Sequence, residues 1–243
     1  MNKKQILIGM MLIAVAFFTS CNHDDLQYSC DPVIDAWTKA HIQEIQVMNR
    51  ADFLNLDYAR QKAVFNAFTP QQRMNLWKTK LEETLQLEWT ASECIHIETA
   101  LNMVIKNVEW FNNNRSQEIM DRIEIETYKW YDYAITNLQW DIETIYAIAG
   151  TPLSVVIGKD ELLVVEAHSE ERGRQKCDCT LFDATSSVNC GSGKKCNDPD
   201  CSDQTHFGCG WFWMRFCDGI CGDKDTSPNC EICDMYPCIC VPK

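Results

Sequence analysis

The sequence predicts an all-α helical bundle followed by a small, disulfide-rich C-terminal domain built from loops and short strands. Two observations carry this prediction. Apolar residues recur at intervals of three or four between residues 32 and 150, which is the spacing of amphipathic helices. Of the 15 cysteines, 12 fall in the last 67 of the 243 residues, a share far above that of an ordinary globular domain.

Residues 1–20 have the features of a lipoprotein signal peptide. Two lysines precede an apolar run from Ile6 to Phe18, which is shorter than the roughly 20 residues that a membrane span requires. Small residues then lead to Cys21, an arrangement that resembles a bacterial lipobox and makes Cys21 the expected lipidation site. The alternative is a plain secretory signal with an incidental cysteine.

Residues 21–31 are predicted to form a polar tether. Asp24 and Asp25 follow the lipidation site closely, and this resembles the surface-export signal of some Gram-negative lipoproteins. We therefore expect a lipid anchor at the outer membrane or the cell surface, with periplasmic retention as the alternative. Acyl chains would make the membrane a partner without any spanning helix.

Residues 32–150 are predicted to form a helical domain of four or five helices. Capping boxes at Thr69–Gln72 and Thr90–Glu93 mark two helix starts. Behind the second start, apolar side chains spaced three or four apart predict one buried helix face: Cys94, Ile97, Leu101, Val104, Val108 and Phe111. A long helical segment is predicted from Ser116 to Ala149, ended by the glycine that follows.

The helical domain offers no catalytic pattern. The sequence has no HExxH, GxSxG, P-loop or GxGxxG motif. Cys94 and His96 lie two residues apart and so on different helix faces, with the thiol expected in the core and the imidazole exposed. Five tryptophans could line a ligand groove, although their spacing favours a core: Trp77, Trp89, Trp110, Trp130 and Trp140. We predict no enzyme activity and no cofactor.

Residues 151–176 are predicted to form a linker. An apolar run at Leu162–Val165 predicts one strand, and basic residues then cluster at Arg172, Arg174 and Lys176. The cluster is either a solvated linker or a protease-sensitive joint, because nicking concentrates in exposed polar segments. Cleavage at such a joint would release the tail.

Residues 177–243 are predicted to form a disulfide domain. Few apolar residues separate its cysteines, so a fold this small requires covalent bridges, and an exported protein can form them. The twelve disulfide candidates are Cys177, Cys179, Cys190, Cys196, Cys201, Cys209, Cys217, Cys221, Cys230, Cys233, Cys238 and Cys240. Sequence alone does not determine their pairing. Cys30 and Cys94 are either free or paired with each other.

Metal binding is the competing interpretation of this domain. The last four cysteines, from Cys230 to Cys240, have zinc-like spacing. Acidic loop residues such as Asp198 and Asp223 offer oxygen ligands for calcium, although the EF-hand spacing is absent. Behind a signal peptide we favour disulfides over zinc, and solvated turns over calcium, so we predict no metal.

An aromatic stretch between Phe207 and Cys217 is the candidate target-binding surface. An alternating strand would place Trp211 and Trp213 on one face, and Phe212 and Phe216 on the other. If a domain this small covers only one face, the other remains available to a target. The alternative is that both faces are buried against neighbouring loops.

The first eight cysteines of the tail, from Cys177 to Cys221, include a Cys209-Gly210 pair followed by Trp211 and Trp213. This pattern resembles that of the bacteriocin fulvocin C, and the whole chain resembles the fulvocin C-related lipoproteins. The segment from Tyr58 to Leu81 is also similar to that family. The tail departs from it in having four further cysteines, and it carries ten acidic against five basic residues, which argues against simple disruption of anionic membranes.

The resemblance implies interbacterial antagonism, with the helical part as a carrier and the oxidised tail binding a target. The alternative function is a non-toxic surface lipoprotein that binds a glycan or a protein through the same tail. A net charge of −13 argues against nucleic-acid partners, which require a basic surface. The expected partners are the membrane and an unknown protein, glycan or bacterial-envelope target.

Overall fold

The computed structural model describes residues 26–157, 162–164, 194–197, 206–217 and 219–223. Across these ranges the protein is mostly helical and has three two-stranded antiparallel sheets. The predicted helical class is therefore confirmed for this part of the chain. The predicted lipidation site Cys21 and the basic cluster at Arg172, Arg174 and Lys176 lie outside the described residues.

Eight α-helices occur in the described ranges. In chain order they are α1 Pro32–Ala40, α2 Ile42–Ile45, α3 Arg50–Leu54, α4 Tyr58–Ala67, α5 Pro70–Thr84, α6 Ala91–Lys106, α7 Gln117–Thr136 and α8 Ile142–Ile145. A 3₁₀ turn at Val108–Phe111 follows α6, and a π-helical turn at Tyr146–Gly150 follows α8. Within the part of the chain covered here, none of the helices is long and apolar enough to cross a membrane.

Side-chain caps start helices α5 and α6 where the sequence places them. The hydroxyls of Thr69 and Thr90 each accept a hydrogen bond from the backbone N–H three residues later. The side chains of Gln72 and Glu93 accept hydrogen bonds from the backbone N–H of their cap residues in return. Both capping boxes are therefore confirmed.

Further caps explain why the chain has more helices than predicted. Asn49 and Asp57 accept backbone hydrogen bonds at the starts of α3 and α4, so one helical stretch is interrupted and restarted. Near the end of the domain, Gln139 has a left-handed φ of 56° and Asp141 caps α8. The continuous helix predicted from Ser116 is therefore wrong beyond the end of α7.

Three antiparallel pairings account for the described strands. They are β1 Val155–Ile157 with β2 Leu162–Val164, β3 Lys194–Asn197 with β6 Ile220–Asp223, and β4 Phe207–Cys209 with β5 Arg215–Phe216. The register places Cys196 opposite Cys221 and Phe207 opposite Phe216. Strand β2 confirms the strand predicted from the apolar run that begins at Leu162.

One hydrophobic core joins the helices to the segment 206–217. Its fully buried side chains include Phe65, Trp77 and Trp110 from the helical part and Trp213 from the C-terminal part. The sequence predicted that this segment belongs to a separate disulfide domain. The structure instead packs it as part of the helical body, because its aromatic side chains fill the space between the helices.

Arg73 is a buried cation that holds several elements together. Its guanidinium donates hydrogen bonds to the carbonyl oxygens of Phe65, Asn66 and Phe111 at 2.7, 2.7 and 2.8 Å. Its Cζ lies 5.0 Å from the centroid of the Phe207 ring. Burial lowers the pKa of Arg73 to about 9, so the group stays charged at neutral pH and links α4, α5 and β4.

Candidate functional site

Two aromatic regions of the molecule are candidates for a binding site. The first is the aromatic hairpin, which runs from Phe207 to Cys217 and consists of β4, a 3₁₀ turn at Trp211–Trp213 and β5. A disulfide between Cys209 and Cys217 closes it. Phe212 and Trp213 both have left-handed φ values, 55° and 54°, so the chain turns here and the predicted alternating strand is wrong.

The helices enclose the tip of the aromatic hairpin. The Trp213 ring makes edge-to-face contacts with Phe65 and Phe53 at centroid distances of 5.3 and 6.4 Å. Its indole Nε1–H donates a hydrogen bond of 3.1 Å to the carbonyl oxygen of Gly150. Phe212 packs edge-on against Trp77 at 5.4 Å. Such contacts are typical of a packed core.

Burial corrects the prediction of an exposed target-binding face. Trp211, Phe212 and Trp213 are 6%, 0% and 1% exposed, and Phe216 is half-buried against Phe207 at a centroid distance of 4.4 Å. The helical core covers both faces of this segment, whereas the sequence suggested cover only from neighbouring loops. These side chains therefore offer no open binding surface in this structure.

Three of the twelve disulfide candidates are disulfide-bonded in the described ranges: Cys196, Cys209 and Cys217. The sulfur atoms of the last two are buried, and the Nζ atom of Lys62 lies 3.4 Å from each. Cys94 is a free cysteine, so the alternative pairing with Cys30 is not formed. The zinc-like cysteines from residue 230 onward lie outside the described residues.

The second region is a groove between α6 and α7 with a volume of about 710 Å³. Helix α6 packs closely along α5 but only loosely against α7, and this separation opens the groove. The two helices are antiparallel, because Trp130 of α7 bonds to the first half of α6 while Arg122 lies by the turn that follows it. We call this feature the α6–α7 groove.

One end of the α6–α7 groove is aromatic. The His96 imidazole stacks on Trp130 and on Tyr133 at centroid distances of 4.8 and 4.9 Å. The indole N–H of Trp130 donates a 3.1 Å hydrogen bond to the backbone oxygen of His96. Burial lowers the pKa of His96 below its ordinary value of 6.5, so the ring is neutral at pH 7.

The burial of His96 is the opposite of what the sequence predicted. The sequence predicted an exposed imidazole and a core thiol, but His96 is 5% exposed and Cys94 is half-buried. The aromatic side chains of α7 cover the imidazole, and this contact between helices was not visible in the spacing along α6. Trp110 and Trp130, which the sequence placed in a core or a groove, line the groove while remaining buried themselves.

The other end of the α6–α7 groove is cationic. The Arg122 guanidinium lies over the Trp110 ring at 5.8 Å from its centroid and forms a 2.8 Å ion pair with Glu109. Lys106, in the last turn of α6, also lines the groove and has no ion-pair partner among the described residues. Polar side chains lie between the two ends, including Thr99 and Asn102.

Two groove residues carry buried nitrogen atoms without partners. His96 Nε2 and Trp110 Nε1 find no hydrogen-bond acceptor or donor in the described part of the chain. An unsatisfied buried polar atom costs about 1–3 kcal/mol. Trp77 Nε1 is also unpaired, so this feature alone does not define a site. His96 and Trp110 differ from Trp77 because both line the groove.

An open groove with one aromatic end and one cationic end is suited to binding. No group of three or more histidine, cysteine, aspartate or glutamate side chains is placed to hold a metal ion in those ranges. Sequence reasoning missed His96, Lys106, Arg122 and Tyr133 as site residues. The only sequence signal for them is that aromatic and basic residues share one face of each of two consecutive helices.

Comparisons with protein-family models, with curated proteins and with solved structures found no match to this chain. The resemblance to the fulvocin C-related lipoproteins therefore stays a prediction from the cysteine spacing.

Proposed function

We propose that the protein is an exported, lipid-anchored binding protein without catalytic activity, and that its ligand site is the α6–α7 groove. The observation that carries this proposal is the pair of buried, unpartnered nitrogens at His96 and Trp110 beneath an open groove. A bound ligand could satisfy such atoms, and these two line the groove, whereas the equally unpaired Trp77 Nε1 does not.

The burial of the aromatic hairpin supports this assignment over binding through the tail. Trp213 has an aromatic neighbour on several sides and a partner for its N–H. A side chain satisfied in this way gains nothing from a ligand. The hairpin then serves to stabilise the helical body, and the helical body carries the site.

The test uses two matched substitutions on α6. Thr99 lines the groove and is exposed, and Glu98 is its exposed neighbour outside the groove. Thr99→Trp fills the groove with an indole, while Glu98→Trp adds the same ring to the adjacent face. Full-length protein and both variants are applied to an array of glycans and peptides.

We expect ligands that bind the wild type and Glu98→Trp but lose about tenfold or more in affinity with Thr99→Trp. Equal thermal unfolding of the two variants shows that both are folded. An array on which no ligand distinguishes Thr99→Trp from Glu98→Trp contradicts the proposal.

Interbacterial antagonism is the second candidate function. The observation that favours it is the tail's cysteine spacing together with the disulfide-bonded state of Cys196, Cys209 and Cys217, as an oxidised effector would require. Purified full-length protein spotted on lawns of related bacteria tests it. Clearing that disappears after reduction supports antagonism, and growth under the oxidised protein argues against it.

A further inference from the structure

We propose that the α6–α7 groove takes an acidic oligosaccharide, with a carboxylate at the end formed by Lys106 and Arg122 and a sugar ring at the end formed by His96 and Tyr133. This inference rests on the proposed function and adds the chemical class and the orientation of the ligand.

The groove is long enough for an extended chain. Its lining on α6 runs from Ser92 to Asn107, just past the helix end. At a rise of about 1.5 Å per residue these 15 steps span roughly 22 Å. A single small metabolite would leave much of this length empty, and a linear polymer would follow it.

The charge of the groove is opposite to that of the whole protein. The chain has 35 acidic and 22 basic side chains, but the groove lining has three cations and one carboxylate: Lys106, Arg122, Lys129 and Glu126. Lys129 is paired with Glu126 and Arg122 with Glu109, each at 2.8 Å. These pairs leave Lys106 as the groove cation without an ion-pair partner among the described residues. An anionic group on the ligand matches the Lys106 end.

At this end, the ion pair between Arg122 and Glu109 can be replaced by one between Arg122 and a ligand carboxylate. Arg122 and Glu109 have side chains that are 52% and 37% exposed, and exposed pairs contribute little to stability. Arg122 also lies over the Trp110 ring, whose buried Nε1–H lacks an acceptor among the described residues. A ligand carboxylate paired with Arg122 would bring acceptor oxygens to the same end of the groove as this N–H.

The opposite end suits the flat apolar face of a sugar. Tyr133 is 44% exposed, and its ring stacks on His96. His96 Nε2 is buried and has no partner among the described residues, and a neutral imidazole nitrogen can exchange a hydrogen bond with a hydroxyl group that displaces the half-exposed Tyr133 ring. Between the ends, Thr99 and Asn102 line the groove. Their side chains donate hydrogen bonds to the carbonyl oxygens of Ile95 and Glu98, and each keeps an oxygen that can accept a hydrogen bond from a ligand hydroxyl. These groups favour a glycan over an apolar peptide.

The probe is a galacturonate tetramer, compared with its methyl ester, which has the same rings but no charge. Binding to full-length protein is followed by calorimetry and by tryptophan fluorescence, because Trp110 and Trp130 line the site. We expect the acid to bind about tenfold more tightly than the ester at low salt. The difference should shrink as the salt concentration rises.

Substitutions test which end of the groove binds the carboxylate and which end binds the sugar ring. Lys106→Gln should weaken the acid about tenfold and leave the ester unchanged, while Lys106→Arg restores the preference. Tyr133→Ala should weaken both probes equally. Lys78→Gln, at a partly exposed lysine on α5 outside the groove, is the control and should change neither.

Each remaining outcome decides between the two proposals. Equal binding of acid and ester, lost in Thr99→Trp, overturns the acidic ligand and leaves the groove as the site. Binding of neither probe overturns the inference, while the array experiment continues to decide the function. Binding that Lys106→Gln and Thr99→Trp both leave intact overturns the groove and the ligand together.

Discussion

The aromatic hairpin and the α6–α7 groove contain similar aromatic side chains, but these differ in burial and in hydrogen bonding. In the hairpin, Trp213 is enclosed and its N–H is bonded to Gly150. In the groove, Tyr133 is half-exposed, and the nitrogen of His96 beneath it lacks a partner in the described ranges. A concentration of aromatic residues therefore does not by itself indicate a binding surface. Unsatisfied polar atoms beside an open groove are the better indicator.

Removing the hairpin's central ring should have the largest effect. Trp213→Ala deletes a side chain that is 1% exposed, and we expect a loss of about 3–5 kcal/mol in the free energy of unfolding, because a cavity remains between the helices. Urea unfolding followed by circular dichroism measures it. Tyr128→Ala, on an aromatic that is 62% exposed, is the control and should change stability by less than about 0.5 kcal/mol. Similar values for the two variants would show that the hairpin is not part of the core.

Removing the disulfide that closes the hairpin should have the next largest effect on stability. The double change Cys209→Ser and Cys217→Ser removes a bridge across eight residues, and a loop of this length contributes about 2–3 kcal/mol. Because both sulfurs are buried, dithiothreitol should reduce the wild-type bridge to two thiols only in urea, whereas it would reduce a surface bridge without denaturant. A thiol reagent added after removal of the dithiothreitol counts the thiols. Cys94→Ser, at a free cysteine, is the control.

A substitution in the groove should separate stability from binding. Tyr133→Ala is expected to cost about 1 kcal/mol or less, since the ring is half-exposed and loses mainly its stacking on His96. Ligand affinity should nevertheless fall. Thermal unfolding and calorimetry on the same sample provide both values. A variant that unfolds much more readily, as Trp213→Ala does, would place Tyr133 in the core and remove the contrast.

The smallest effect is a pH dependence that arises from the groove. Burial lowers the pKa of folded His96 below 6.5, so below about pH 6.5 the unfolded chain binds a proton that the folded chain does not. Stability contributed by the neutral ring is therefore complete above pH 6.5 and is lost as the pH falls through the folded pKa.

Urea unfolding at pH 7.5 and pH 5.5 tests this sign, with His96→Gln as the reference. Asp35 and Glu93 also have lowered pKa values, but carboxylates of this kind lose their contribution only at lower pH. Wild type should lose more stability than His96→Gln between the two pH values. An equal loss would mean that His96 is solvated.

Local features of the fold were predictable, and contacts between distant segments were not. The capping boxes at Thr69 and Thr90 depend on residues three positions apart, so their sequence signature is complete. The location of Trp213 depends on helices about 150 residues earlier, and no spacing in the tail encodes it. His96 was misplaced for the same reason, since α7 decides which face of α6 is covered.

The candidate site was accessible to sequence reasoning only in part. Trp110 and Trp130 were recognised as side chains for a core or a groove. The separation between α6 and α7 that opens the groove is a property of tertiary packing. It depends on how closely each helix approaches its neighbours, which amphipathic periodicity does not specify.

The docking of the aromatic hairpin also sets an order of events during synthesis. Lys62 and Cys209 meet across 147 residues of chain, whereas most helical bundles assemble from contacts between neighbouring segments. At roughly 5–20 residues per second, the helices are made several seconds before the residue that fills their centre. A chain that stops before Phe207 would keep all eight described α-helices and still lack side chains from the middle of the core that they form. Completion of the core therefore waits for a segment that is synthesised after all eight described α-helices.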